Sequence, residues 1–141
     1  MIVGGARFVR AMSLNSDMEA ADKRMVTVRT ALEGLATAGE VTTYEPIMEQ
    51  IGLKTRNPAH RKLIGKILGD ITRESHAEHG ITLSVLVHRK TGAGRSTPGP
   101  GYFVIMEQMG LLGPDDDKVA FAEEQLRLVF VHYSSKSSRK G

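Results

Sequence analysis

At Gly80 the spacing of apolar residues changes from three or four to two, and this switch limits the folds open to the chain more than any other feature. Upstream, Ile64, Ile67, Leu68 and Ile71 recur at helical intervals behind Asn57-Pro58. That pair is a capping side chain followed by proline at the first helical position, where the missing N–H is harmless. A helix is predicted over Pro58–His76. Downstream, Ile81-Thr82-Leu83-Ser84-Val85-Leu86-Val87 alternates and predicts a strand. Thr91–Gly101 is rich in glycine and proline and marks a loop, after which Tyr102-Phe103-Val104-Ile105 is expected to return as a second, antiparallel strand. A short helix over 104–112 is the alternative.

The flanking segments read as helices. Met25, Val28, Leu32 and Leu35 predict one over Asp17–Ala38, with Gly39 as its stop. Thr42 or Thr43 can cap a short helix that carries Pro46 in its first turn, Ile47, Met48 and Ile51 on its apolar side, and Gly52 at its end. A last helix opens behind Gly113-Pro114 and Asp115–Asp117, with Val119, Ala122, Leu126, Val129, Phe130 and Tyr133 as its buried face. Residues 1–16 show no period and are left unassigned, and the Ser/Lys/Arg tail over 134–141 is expected to be disordered. The expected fold is therefore one α+β domain over 17–133: a winged helix-turn-helix of four to five helices with a small antiparallel β-hairpin wing.

Composition removes several classes of chemistry. The 141 residues include no cysteine, which excludes disulfides, Cys-ligated zinc and thiol catalysis. No apolar run approaches the roughly 18 residues of a membrane span, and a cytoplasmic location is expected. The net charge is only +3, but it is segregated. Between Gln50 and Gly69 stand five basic residues, Lys54, Arg56, Arg61, Lys62 and Lys66, and no acid. Between His79 and Met106 the formal charges are Arg89, Lys90 and Arg95.

Two short helices, the second with a basic outer face, followed by a basic loop between strands, point to duplex DNA. A helix fits a groove, its cations meet phosphates, and a basic hairpin reaches the adjacent groove. Arg61, Lys62 and Lys66 are placed on the groove helix, Arg56 at its start, and Arg89, Lys90 and Arg95 on the wing. The expected activity is binding without catalysis, with no cofactor and no metal. The alternative from another class is a protein-interaction module, a homodimer or the partner of an enzyme such as a nuclease, using the apolar Met106–Leu112 segment or the last helix.

Val41-Thr-Thr-Tyr44, Asn57-Pro58-Ala-His-Arg-Lys-Leu-Ile-Gly65 and Val87-His88-Arg89 together resemble the winged-helix DNA-binding domain of the O6-alkylguanine alkyltransferases and alkyltransferase-like proteins. The resemblance implies that Tyr44 contacts the DNA backbone beside a flipped nucleotide and that Lys62 stands where the family has an arginine finger. It implies lesion sensing as a further alternative. The acceptor thiol is missing, because Val87 occupies its position and Leu86 that of the preceding proline, and the stretch from Gly65 to Val87 is longer than the family's. The resemblance therefore implies a fold without repair. Leu83–Val87 and Pro98–Phe103 are also similar to small uncharacterised bacterial domains, which imply no activity.

Other candidate sites have simpler readings. The Gly92–Gly101 loop lacks the Gly-Lys-Ser/Thr ending of a phosphate cradle and reads as a hairpin tip. Glu74, His76, Glu78 and His79 read as a polar helix end instead of a metal site. His88 has no carboxylate beside it in sequence to support a role as base.

Overall fold

The computed structural model describes residues 21, 23–89 and 97–140. Helix α1 (23–38) buries Val28, Leu32 and Ala36. A two-residue strand, β1 (Thr42–Thr43), leads directly into α2 (Tyr44–Gln50), where Ile47 and Met48 are buried. Thr43 is the N-cap of α2 but makes no side-chain capping bond; it is held by strand pairing instead.

Helix α3 (Pro58–His79) starts where the sequence places it. Asn57 Oδ1 accepts the N–H of Ala59 at 2.9 Å and that of His60 at 3.3 Å, which satisfies two otherwise orphaned donors. The predicted stripe of Ile64, Ile67, Leu68 and Ile71 is buried. The helix runs one turn past His76 and stops at Gly80, whose φ of 72° lies in the left-handed region and whose N–H donates to the His76 carbonyl.

Beyond Gly80 the structure departs from expectation. Leu83–Leu86 form a 3₁₀ turn, and only Val87–His88 form a strand, β2. β2 pairs with β1 in parallel, Thr42 opposite Val87 and Thr43 opposite His88, so the expected antiparallel two-stranded sheet is replaced by a parallel one. The expected return strand at Tyr102–Ile105 lies inside a helix, α4 (Pro100–Gln108), which has Pro100 at its N-terminus and buries Tyr102, Phe103 and Met106. Between β2 and α4 an antiparallel bridge joins His88 to Pro98, and the Arg89 amide donates to the Thr97 carbonyl at 3.0 Å; Lys90–Ser96, where the tip of the expected wing falls, lie outside the described residues. The last helix, α5 (Lys118–Lys140), is preceded by Asp117, whose Oδ1 accepts the Ala120 N–H. Ala122, Val129 and Tyr133 face the core, Val119 is exposed, and the backbone stays helical past Tyr133 to Lys140. Among the described residues the chain is thus a mainly helical α+β fold of five α-helices and one two-stranded parallel sheet.

The 3₁₀ turn occupies the centre of the molecule, and the reason it is not a strand is visible in its hydrogen bonds. Leu83, Val85 and Leu86 are wholly buried, with no solvent face for alternation to serve. The Leu83 amide donates to Ser75 Oγ at 3.2 Å and the Ser84 amide to Thr72 Oγ1 at 3.1 Å. Ser75 Oγ in turn donates to the carbonyl of Ile81 at 2.9 Å or of Thr72 at 3.1 Å. Hydroxyls on the buried face of α3 replace the strand ladder.

Helices α1, α3 and α5 are tied at one end by Arg29. Its guanidinium donates to Glu74, and to Glu78 at 2.7 Å, with Glu33 at 3.5 Å, while Tyr133 donates to Glu33 at 2.9 Å. Burial opposes the charge of Arg29, but the bonds to Glu78 and Glu74 outweigh it and raise its pKa. Glu74 and Glu78 therefore serve an interhelical ion-pair network. Of the Met106–Leu112 segment, Met106 and Leu112 are buried in the core and Met109 and Leu111 are half-buried. Among the described residues no group of His, Asp or Glu is arranged to hold a metal ion, and no helix is long and apolar enough to cross a membrane.

Candidate nucleic-acid interface

The connection between α2 and α3 is closed by its own side chains. The Lys54 amide donates to His60 Nδ1 at 2.9 Å, which locks His60 against the turn and fixes where α3 begins. From that start, residues 61, 65 and 68 fall on one side of α3 by three- and four-residue spacing, and 62 and 66 on the adjoining edge.

The first side faces a cleft of about 590 Å³, in which Arg61, Ile64 and Gly65 of α3 meet Tyr44 and Met48 of α2, Arg89 after β2, and Gly99–Gly101 at the start of α4. Tyr44 lies on its floor. A Cβ at Gly99 would sit 3.0 Å from the Tyr44 hydroxyl, so glycine there permits the close approach of the ring. Burial pushes the Tyr44 phenol above its ordinary pKa, against a hydrogen bond to the Gly99 backbone and the positive charge of Arg89. The cleft continues into a smaller apolar hollow of about 270 Å³ between Leu68, Ser84, Tyr102 and Ile105. Gly65 and Gly101 border both, and a Cβ added at either would meet nothing within 4 Å.

Of the residues singled out from sequence, the structure brings Tyr44, Arg61 and Arg89 to this one cleft. Lys62 and Lys66 are exposed on the neighbouring edge of α3, but Lys66 Nζ is bonded to Asp70 Oδ2 at 2.8 Å and Arg73 lies 3.5 Å from the same carboxylate. Arg56 lines a neighbouring hollow with Glu45 and Glu49, which meets the cleft at Thr55. Lys90 and Arg95 lie outside the described residues.

No family model matches the chain, and no curated protein or solved structure does. The site is therefore read from its own chemistry. The first turn of α3 holds no acid, while Arg61 and Lys62 add charge to a helix end that is already positive. Acids lie further along, at Asp70, Glu74 and Glu78. The charges of α3 thus reinforce its macrodipole field at the N-terminal end, where ordinary helix stability favours the opposite distribution.

Sequence reasoning missed Lys118. Its ammonium lies 5.9 Å from the centre of the Phe103 ring, beside a third hollow of about 270 Å³ that Arg89 also lines. No local signal marks it, because its place beside Phe103 and Arg89 is a contact between segments distant in sequence. His88 falls on the other side of β2. It is buried, its pKa is lowered by that burial against a hydrogen bond to the Val85 backbone, and it lines a neighbouring hollow with Thr97 and Glu123.

Proposed function

We propose that this protein binds duplex DNA without chemistry, as a winged-helix protein whose groove helix is the N-terminal half of α3 and whose wing is the loop that leaves at Arg89 and returns at Thr97. The observation that carries this reading is the meeting of Arg61 and Arg89 at one cleft, at the acid-free and electropositive end of α3. The two come from elements far apart in sequence, so their proximity is a property of the fold and not of a local charge run. Lys62 on the adjoining edge extends the positive surface around the helix, as expected for an element flanked by two phosphate strands. The bridge between His88 and Pro98 brings the two ends of the Arg89–Thr97 segment together.

Binding of this kind depends on counterion release. In a fluorescence-anisotropy titration on a mixed-sequence duplex, log affinity is expected to fall linearly with log salt, with a slope of about −0.9 per phosphate contacted and hence roughly −3 to −5 for a surface of this size. A flat salt response would refute the proposal.

One observation favours a more specific second reading, in which the chain senses alkylated bases as its alkyltransferase resemblance implies. The cleft above Tyr44 opens into an apolar hollow whose edge is a bare mid-helix glycine, Gly65, with open space where a side chain would be. A Gly65→Leu substitution is expected to raise stability by about 0.5–1 kcal/mol, the usual gain in helix propensity. It should also weaken binding to an O6-methylguanine duplex more than to the plain duplex. Equal affinity of the unaltered chain for the two duplexes rules the lesion reading out.

A further inference from the structure

We infer that the nucleic-acid contact continues past Arg89, over the first turn of α4, to Lys118, so that one row of cations running from Arg61 through Arg89 to Lys118 carries one DNA backbone. The inference rests on the duplex-binding reading above and adds to it a residue and a path.

Arg89 is the shared wall of two hollows. On one side of it stands Arg61, and on the other Lys118, with Pro100 at the ridge between them. Three cations from three separate elements, α3, the segment after β2 and the start of α5, therefore border one continuous edge. Between the charges the edge is apolar. Pro100 is exposed, Val104 is 50% exposed, and Phe103 forms the wall beneath the Lys118 ammonium.

A row of cations separated by apolar ground matches a sugar–phosphate backbone, which alternates anionic phosphates with less polar sugar faces. The aromatic ring under Lys118 holds its charge near the row while leaving the ammonium exposed for a phosphate. Acids border the path as well: Glu107 lines the second hollow, and the exposed Asp115–Asp117 immediately precede Lys118. The presence of Glu107 makes the inference testable in both directions.

The experiment is anisotropy of the full chain on a labelled mixed-sequence duplex across a salt series, for the unaltered protein, Lys118→Ala, Lys118→Arg and Glu107→Gln. Lys118→Ala is expected to weaken binding about 3–10-fold at ~100 mM salt and to make the log–log salt slope shallower by about 0.9, the loss of one phosphate contact. Lys118→Arg should keep the original slope, and Glu107→Gln should tighten binding about 2–5-fold through the removal of one like charge from the phosphate path. Both positions are exposed, and thermal unfolding verifies that each variant is folded. If the unaltered chain binds and Lys118→Ala matches it in affinity and slope, the path ends at Arg89 and the inference is wrong while the duplex reading stands. If the unaltered chain does not bind duplex, both fall together.

Discussion

Exchanging Arg61 and Arg89 together for glutamate is expected to lower affinity for a generic duplex by about two orders of magnitude at ~100 mM salt, and to make the salt slope shallower by about 2. Each reversal removes one phosphate contact and sets a like charge against the backbone. The two side chains are well suited to the test because both are exposed and neither makes an ion pair among the described residues, so the fold has little stake in their charge. The lysine pair on the adjoining edge is a poorer probe. Glutamate at Lys66 would stand one helical turn from Asp70, which now accepts the lysine's bond, and would disturb α3 as well as any ligand. Arg56→Glu provides the contrast. Its hollow already holds Glu45 and Glu49 and shares only Thr55 with the cleft lining, so the change is expected to shift affinity by less than about threefold. Equal losses from Arg56 and from the Arg61/Arg89 pair would mean that net charge alone, and no particular surface, sets the affinity.

The helices α2 and α3 and their buried stripes were legible because their signals are local. Asn57 caps from its own side chain, Pro58 tolerates only the first turn, and Ile64, Ile67, Leu68 and Ile71 need only a period to be placed. The strands were misread for an equally physical reason. A short apolar run with period two describes both a half-exposed strand and a segment buried on every side, and residues 81–86 are the second kind. What decides between them is whether the backbone finds a ladder, and β1 is only long enough to pair with Val87 and His88. The hydroxyls that serve Leu83 and Ser84 in place of a ladder sit on α3 and are invisible to any local pattern. At Tyr102–Ile105 the aromatic and β-branched residues favour a strand, yet Pro100 is the same helix-start signal as Pro58, and Tyr102 and Met106 share a face at four-residue spacing. The candidate site was legible in the same measure. Arg61 and Tyr44 follow from α3 and α2, whereas the pairing of Arg61 with Arg89 and the return of Lys118 depend on contacts between distant segments.

The central 3₁₀ turn packs against both α3 and α5, and Ser75→Ala is expected to destabilise the fold by about 2–4 kcal/mol, since each buried polar group left unpaired costs about 1–3 kcal/mol. Ser75 is fully buried, accepts the Leu83 amide and donates to the Ile81 carbonyl or that of Thr72, so alanine strips partners from the backbone at the start of the turn without changing α3's helix propensity for the worse. The measurement is the urea midpoint at unchanged m-value. Thr37→Ala is the matched control: its hydroxyl bonds the Glu33 carbonyl on an exposed face of α1, where water can take over, and a change within about 0.5 kcal/mol is expected. A loss below 1 kcal/mol for Ser75→Ala would show that water reaches the turn and that its hydroxyl supports are dispensable. The consequence reaches the candidate interface, because Val87, His88 and Arg89 follow the turn directly and Arg89 takes its place in the cleft from them. Under conditions where the variant is still folded, its duplex affinity should therefore fall with a salt slope close to the original, since the phosphate-binding side chains are all present and only the position of Arg89 has been loosened.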